Sequence, residues 1–402
     1  MVPNGWQKQQ ISDICTLQNG NSFKPHQWDT KGLPIIRIQN LNGSNNFNYY
    51  SGEVKEKWLV ETGQLLFSWA GTKGVSFGPF IWKKERGVLN QHIYKVYAEE
   101  HVDQDWLYES LRWVTNKIEA QAHGFKATLL HVQKKDIDNQ PILLPPLPEQ
   151  RKIAKILSTW DKAIATTEKL IETSKQQKKA LMQQLLTGKK RLVNPETGKA
   201  FEGEWEEVKL ETVAGKIFGG GTPSRGVPEY WNGSIPWVTV KDLISSVIHG
   251  AKEHITEQGL SNSSANVVPE GTVIIATRMA VGKAVVATCD VAINQDLKAV
   301  SPSDALNSIF LHYWFMWKST VIEGMGTGST VKGVQINSIK AMKILLPNIF
   351  EQQKISSVLT ATDKEIELLE AKLMYFKQEK KALMQQLLTG KRRVKVDEME
   401  VA

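Results

Sequence analysis

The chain has 402 residues, 41% of them hydrophobic, so it is long enough for two separate cores and too apolar for wholesale disorder. Lys and Arg number 50 against 42 Asp and Glu, a net charge of +8 that suits a polyanionic partner better than an acidic one. With only Cys15 and Cys289, no disulfide framework or paired-cysteine zinc site can be built; with no apolar leader and no run near the ~20 apolar residues that span a bilayer, a soluble cytoplasmic protein is expected.

A first globular domain is expected over residues 1–147. Short β-branched and aromatic runs at 33–38, 64–69, 75–82 and 93–97, separated by Gly, Asn and Pro, read as strands and turns. Trp106, Leu107, Leu111 and Val114 recur at helical spacing and predict a helix over 105–120. The domain ends in PILLPPLP at 141–148, where four prolines block both a helix and a central strand.

A long helix is expected next, in a segment spanning 148–191. Ile153, Leu157, Trp160, Ile164, Thr167, Ile171, Ser174, Lys178, Leu181 and Leu185 follow steps of three and four, the spacing of a coiled-coil seam with some polar members. Gly188 then stands where a helix stop belongs. A second globular domain follows over 192–346, a second long helix over 347–393, and a tail over 394–402.

The two halves are copies. KKALMQQLLTGK at 178–189 returns letter for letter at 380–391, and the register holds upstream, with Glu149-Gln150 facing Glu351-Gln352 and Asp161 facing Asp363. The second seam runs Ile355, Leu359, Thr362, Ile366, Leu369, Leu373, Phe376, Lys380, Leu383 and Leu387. A period this long excludes a solenoid and indicates two domain-sized units, each ending in a helix. The globular parts have drifted further: Trp6 matches Trp205, Asn40-Leu41 matches Asp242-Leu243, and Asn90-Gln91 matches Asn294-Gln295. Constant helices carrying diverged globular parts is the pattern of one scaffold with two different readers. The expected fold class is therefore α+β: two mixed α/β domains in pseudo-twofold arrangement, joined by two long helices packed as an antiparallel coiled coil, in preference to a parallel packing that would put both domains near one end. B-DNA has local twofold axes too, and such a protein can offer equivalent faces to two half-sites.

Catalytic machinery is missing from the sequence. Gly282-Lys283 lacks the spacing of a phosphate loop, Pro145-Pro146 has no Asn, Asp or Tyr beside it as base-methylating motifs require, and the eight histidines form no metal-binding pair. His249 and His254 fall in an expected loop. Candidate DNA contacts in the first domain are Lys24, Arg37, Gln39, Asn40, Lys73, Lys83, Lys84, Arg86 and Lys126; in the second they are Lys216, Arg225, Lys241, Arg278, Lys283, Ser329 and Lys332. Arg pairs with guanine, Asn and Gln with adenine, and Lys with phosphate. Each alone also fits an ordinary solvated side chain. The loop 328–333 (GSTVKG) is the better phosphate-loop candidate, though a plain turn before a strand at Ile344 reads equally well. Asn90-Gln91 and its copy rank low as base readers, because a feature shared by two different readers is structural. Trp6, Trp160, Trp205 and Trp314 fall in apolar patterns and are assigned to cores.

PPLPEQRKI at 145–153, the two KKALMQQLLTGK segments, Gly221–Pro223 and IPWVTV at 235–240 together resemble the specificity subunit of type I restriction–modification systems, over the whole chain. The second copy departs at PNIFE, 347–351, without the double proline. The resemblance implies that each globular domain is a target recognition domain for one half of a bipartite double-stranded DNA sequence. It implies that the helices set the spacer and dock two methyltransferase subunits, for which Gln183, Gln184, Gln385 and Gln386 are the candidate contacts. Those partners would bring S-adenosylmethionine; this chain would hold no cofactor and no metal and would be no enzyme itself. Motor–nuclease subunits would join for restriction. The competing reading is a standalone, pseudo-dimeric DNA-binding regulator, which the two near-identical helix surfaces disfavour.

Overall fold

The structure, a computed structural model, describes residues 2–121, 129–326 and 333–396. It divides into two compact units, residues 1–168 with 371–402, and residues 169–370. The division cuts through both long helices, so each unit contains the start of one and the end of the other.

In the first unit a four-stranded antiparallel sheet has the order Cys15–Asn19, Ile93–Ala98, Leu65–Ser68 and Gly78–Ile81. The helix Gln104–Gln121 covers it, burying Trp106, Leu107, Leu111 and Val114 as the spacing predicted. A second sheet places Leu33–Ile36 between Tyr49–Tyr50 and Gly87–Leu89, with Leu59–Val60 at its edge. Its Leu33–Ile36 and Gly87–Leu89 strands run parallel. The run expected as a strand over 75–82 is shorter, because residues 73–77 turn instead and Gly78, at φ +116°, starts the strand. The proline-rich stretch forms no central strand, as expected: Pro141–Leu144 is a strand paired with Gln7–Gln10 alone. An edge of a two-stranded ribbon tolerates a proline that a central strand would not.

The second unit repeats this plan with changes. Ala214–Gly219, Leu297–Pro302, Val273–Ala276, Ala284–Ala287 and Val247–Ile248 form a five-stranded sheet covered by the helix Ser308–Gly324. Trp231–Val238 runs parallel to Val291–Ile293, as its counterpart does in the first unit. His254, expected in a loop, lies in the edge strand Glu253–Ile255.

The first long helix is Leu147–Leu185 and the second Ile349–Leu387. Pro148 sits in the first turn of its helix, where its missing N–H costs no bond. All twenty seam residues are buried or half-buried. The duplicated KKALMQQLLTGK has a two-faced role: Met182, Leu185 and Leu186 enter the core of the second unit, and Met384, Leu387 and Leu388 that of the first. Gly188 and Gly390, at φ +69° and +68°, end the helices in the left-handed conformation that favours glycine.

That turn delivers an arginine to a fixed partner. In the second unit Arg191 Nε lies 2.7 Å from Glu351 Oε1, and the Trp205 indole donates to Glu351 Oε2 at 3.2 Å. In the first unit Arg393 Nε lies 2.8 Å from Glu149 Oε2, which also accepts from the Trp6 indole at 3.2 Å. Gln150 and Gln352 likewise do the same work twice. Each accepts from the backbone N–H that opens its domain helix, Asp103 or Asn307, at 2.8 Å. Within the first unit Glu149 meets Arg393, Asp161 meets Lys380 and Glu168 meets Lys377, so the two helix segments there run in opposite directions. Within the second unit Lys175 with Glu370, Lys178 with Asp363 and Arg191 with Glu351 make the same pattern. The seam lysines are thus ion-pair partners rather than weak points. Of the four assigned tryptophans, Trp6 and Trp314 are buried; Trp160, edge-on to Phe376, and Trp205 are half-buried.

Candidate nucleic-acid interface

In the first unit the residues after the strand Leu33–Ile36 form a tight loop. Asn40 is buried inside it, accepting from Arg37 N–H at 3.0 Å and donating to Asn46 O at 3.0 Å. Its amide is fully used by the loop, which corrects its selection as a base reader. Gln39 donates to Asn46 O at 3.0 Å from the exposed side. Arg37 reaches Asn48 Oδ1 at 2.9 Å and stacks 5.0 Å from the Trp28 ring. Lys84 clasps the same loop, donating to Ser44 O at 3.0 Å and Asn45 Oδ1 at 2.7 Å. Lys24 and Lys83 are exposed, and Arg86 pairs with Glu61 at 2.7 Å. Lys73 is tied back to the domain helix through Glu119 O at 2.6 Å.

Arg37 and Gln39 line a cleft of about 200 Å³ with Asn90 and His92. His92 opens onto Trp69, whose ring centroid lies 5.0 Å from it and 4.7 Å from that of His131. Burial, then the neighbouring His131, lowers the His92 pKa and favours its neutral form. The cleft therefore joins one cation, two amides and an aromatic–imidazole cluster.

In the second unit Arg225 is held on three sides. Its guanidinium stacks 3.8 Å from the Trp231 ring, lies 5.1 Å from the Trp237 ring and makes a two-pronged bond to Glu253 at 2.7 and 2.8 Å. Arg278 is exposed and faces Asp296 across 3.7 Å. Asn294 fixes Asp296, donating to Oδ2 at 3.2 Å and accepting from its N–H at 3.1 Å. Lys298, whose pKa burial lowers despite Asp296, turns to Gln295 O at 3.0 Å. Lys216, Lys241 and Lys283 are exposed. Lys126, Ser329 and Lys332 lie outside the described residues, with most of the 328–333 loop. Gln183, Gln184, Gln385 and Gln386 are exposed on the helices, opposite the Met and Leu of the same motif. Among the described residues no cluster of three His, Cys, Asp or Glu side chains could hold a metal, and no helix is long and apolar enough to cross a membrane.

The family model described as the type I restriction modification DNA specificity domain matches this chain twice, over residues 3–176 and 202–374. The chain belongs to that family. Its relatives include the type I restriction enzyme MjaVIII specificity subunit of Methanocaldococcus jannaschii, 28% identical over 98% of this chain and 94% of the relative. The fold is similar to the S subunit of a type I restriction–modification system from M. genitalium, with a TM-score of 0.57 at 16% identity over 96% of this chain and 98% of that one. It is also similar to a chain solved in work on complex assembly and conformational transition of the type I R-M system, with a TM-score of 0.63 at 19% identity over 96% and 98%. As a specificity subunit with two target recognition domains, the chain is the DNA-binding, non-catalytic part of its system.

Trp69, His92, His131 and Asp296 were not singled out by sequence. Trp69 and His131 are 62 positions apart, and only the pairing of Ala70–Thr72 with Leu129–His131 brings them together. One signal was available: His92 and Asp296 each directly follow the repeated Asn-Gln, a place where the two copies agree and then part.

Proposed function

We propose that each target recognition domain reads one half of an asymmetric, bipartite DNA sequence. On this reading the two long helices form one antiparallel coiled coil that fixes the spacer between the halves. The observation that carries it is the doubled bond between helix start and helix end, Arg393 with Glu149 and Arg191 with Glu351. Each ties a segment of one helix to the opposite end of the other, and 39 residues at ~1.5 Å per residue make each helix about 58 Å long. The exposed Gln183-Gln184 and Gln385-Gln386 pairs present the same short surface twice, which supports docking of two copies of one methyltransferase subunit. Domain limits at 1–147 and 192–346, with helical segments at 148–191 and 347–393 and a tail at 394–402, belong to this proposal. So do S-adenosylmethionine on the partner, recruitment of motor–nuclease subunits, and a cytoplasmic location.

The test compares N6-methyladenine across host DNA by long-read sequencing, with this gene intact and deleted. Loss of methylation at one asymmetric two-part motif is the expected result. An expressed, DNA-bound chain whose removal changes no methylation would overturn the proposal.

A further inference from the structure

The two domains share one piece of backbone architecture that carries different side chains at four equivalent positions. Trp69 N–H donates to His92 O at 3.3 Å in the first unit, and Thr277 N–H donates to Asp296 O at 2.9 Å in the second. Val132 N–H donates to Trp69 O at 3.0 Å, and Val334 N–H to Thr277 O at 2.8 Å. Ala70 pairs with His131, and Arg278 with Gly333. These bonds make Trp69 equivalent to Thr277, Ala70 to Arg278, His92 to Asp296 and His131 to Gly333. The repeated Asn-Gln lies directly before His92 and Asp296 and anchors both. Asn90 N–H is bonded to Ile36 O at 3.0 Å, and Asn294 N–H to Val238 O at 3.1 Å.

Identical support under different side chains is what two readers of different sequences need. In the first unit the position is flat and aromatic. Trp69 lies against two imidazoles, and His92 Nδ1 is buried with no partner among the described residues. In the second unit it is a charge pair. Arg278 is half exposed, and its 3.7 Å separation from Asp296 is too long for a good hydrogen bond, so both groups have capacity to spare.

We propose that these equivalent clusters are the base-reading points of the two half-sites. Arg278 with Asp296 reads a G·C pair in the half bound by the second domain. Trp69, with His92 and His131, reads an A·T pair in the half bound by the first. The chemistry assigns the bases. A guanidinium donates to guanine O6 and N7 and a carboxylate accepts from cytosine N4, whereas an aromatic face packs on the thymine methyl. The inference rests on the two-half-site reading above and adds the residues and base pairs.

The experiment determines methylated motifs for the native chain, Arg278→Ala, Arg278→Gln and the exposed His131→Ala, each expressed with its methyltransferase partner in a host free of other adenine methylation. A two-part motif for the native chain is the condition set by the proposed function, and its failure there is separate from anything the variants do. The expected result for both Arg278 variants is a motif unchanged except at one G·C position of one half, where discrimination falls about tenfold or more. For His131→Ala the expected loss is at one A·T position in the other half. A variant that keeps the native motif, that loses methylation at every site without broadening, or that broadens both halves overturns the inference.

Discussion

Arg191 and Glu351 are joined by a two-pronged bond, Nε to Oε1 at 2.7 Å and Nη2 to Oε2 at 2.8 Å, although 160 residues separate them. The Glu351 carboxylate is almost wholly buried and the Trp205 indole also donates to it. Removing one partner of a buried pair leaves the other charge desolvated, a loss of roughly 3 kcal/mol. Arg191→Ala is therefore expected to destabilise the protein by about that much in urea unfolding. Arg393→Ala should cost less, because Arg393 is 41% exposed against 25% for Arg191 and water can take over part of its role.

The buried cluster at Lys380 gives a sharper test. Its side chain is 4% exposed, and its ammonium meets Asp161 and Glu109, the latter at 3.1 Å, while Arg112 meets Asp161 at 3.0 Å. Burial raises the Glu109 pKa against the pull of Arg112 and Lys380; burial would raise that of Asp161 too, but Arg112 and Lys380 hold it below the usual carboxylate range. Lys380→Met leaves Glu109 and Asp161 to share Arg112, which lies 3.4 Å from Glu109, and should cost roughly 3 kcal/mol. Adding Glu109→Gln should restore a good part of it, since Arg112 then faces one carboxylate rather than two. Equal, additive losses in the double-mutant cycle would show that the two side chains do not act as a pair.

Close backbone approach explains two glycines near the readers. A Cβ on Gly220 would sit 1.8 Å from Ile293 O, and one on Gly20 would sit 2.2 Å from Asn90 O. Both carbonyls belong to the segment that carries the repeated Asn-Gln. Gly220→Ala must push that segment aside, at a cost of about 1–3 kcal/mol. The expected outcome is a lower urea midpoint with a weakened second half-site; binding to DNA altered only in the first half-site should fall in parallel with the native chain.

The duplication, the seams and the helix stops were legible because each is a periodic or repeated feature of the sequence itself. Pairing of the seam lysines was not, since Lys178 and Asp363 meet only once the helices are side by side. Asn40 was chosen as an amide able to read adenine, yet the sequence held the counterargument. Asn40-Leu41 matches Asp242-Leu243, and both side chains close the same turn: Arg37 N–H to Asn40 Oδ1 at 3.0 Å, Thr239 N–H to Asp242 Oδ2 at 2.8 Å. A turn shared by both domains is structural, and Asn40 belongs to it as Asn90-Gln91 belongs to its own repeat. The partners of Arg225 were hidden differently, because Trp231 and Glu253 come together through strand pairing that no local spacing encodes.

His312 is expected to make the second unit sensitive to acid. The ring is buried on the domain helix, and its Nδ1 has no partner among the described residues. Burial, reinforced by Lys178 and opposed by Asp363, pulls its pKa down from 6.5 to about 4. The folded chain thus holds this imidazole neutral while the unfolded chain protonates it near pH 6.5. The group's contribution is fully present above 6.5 and is lost as the pH falls toward 4, because over that window only the unfolded state gains the proton. Between pH 7 and 5 the loss amounts to about 2 kcal/mol. His312→Asn cannot titrate there. Its urea midpoint should be lower than that of the native chain at pH 7 and should fall less steeply toward pH 5. Parallel curves for the two proteins would remove His312 as the source of the acid sensitivity.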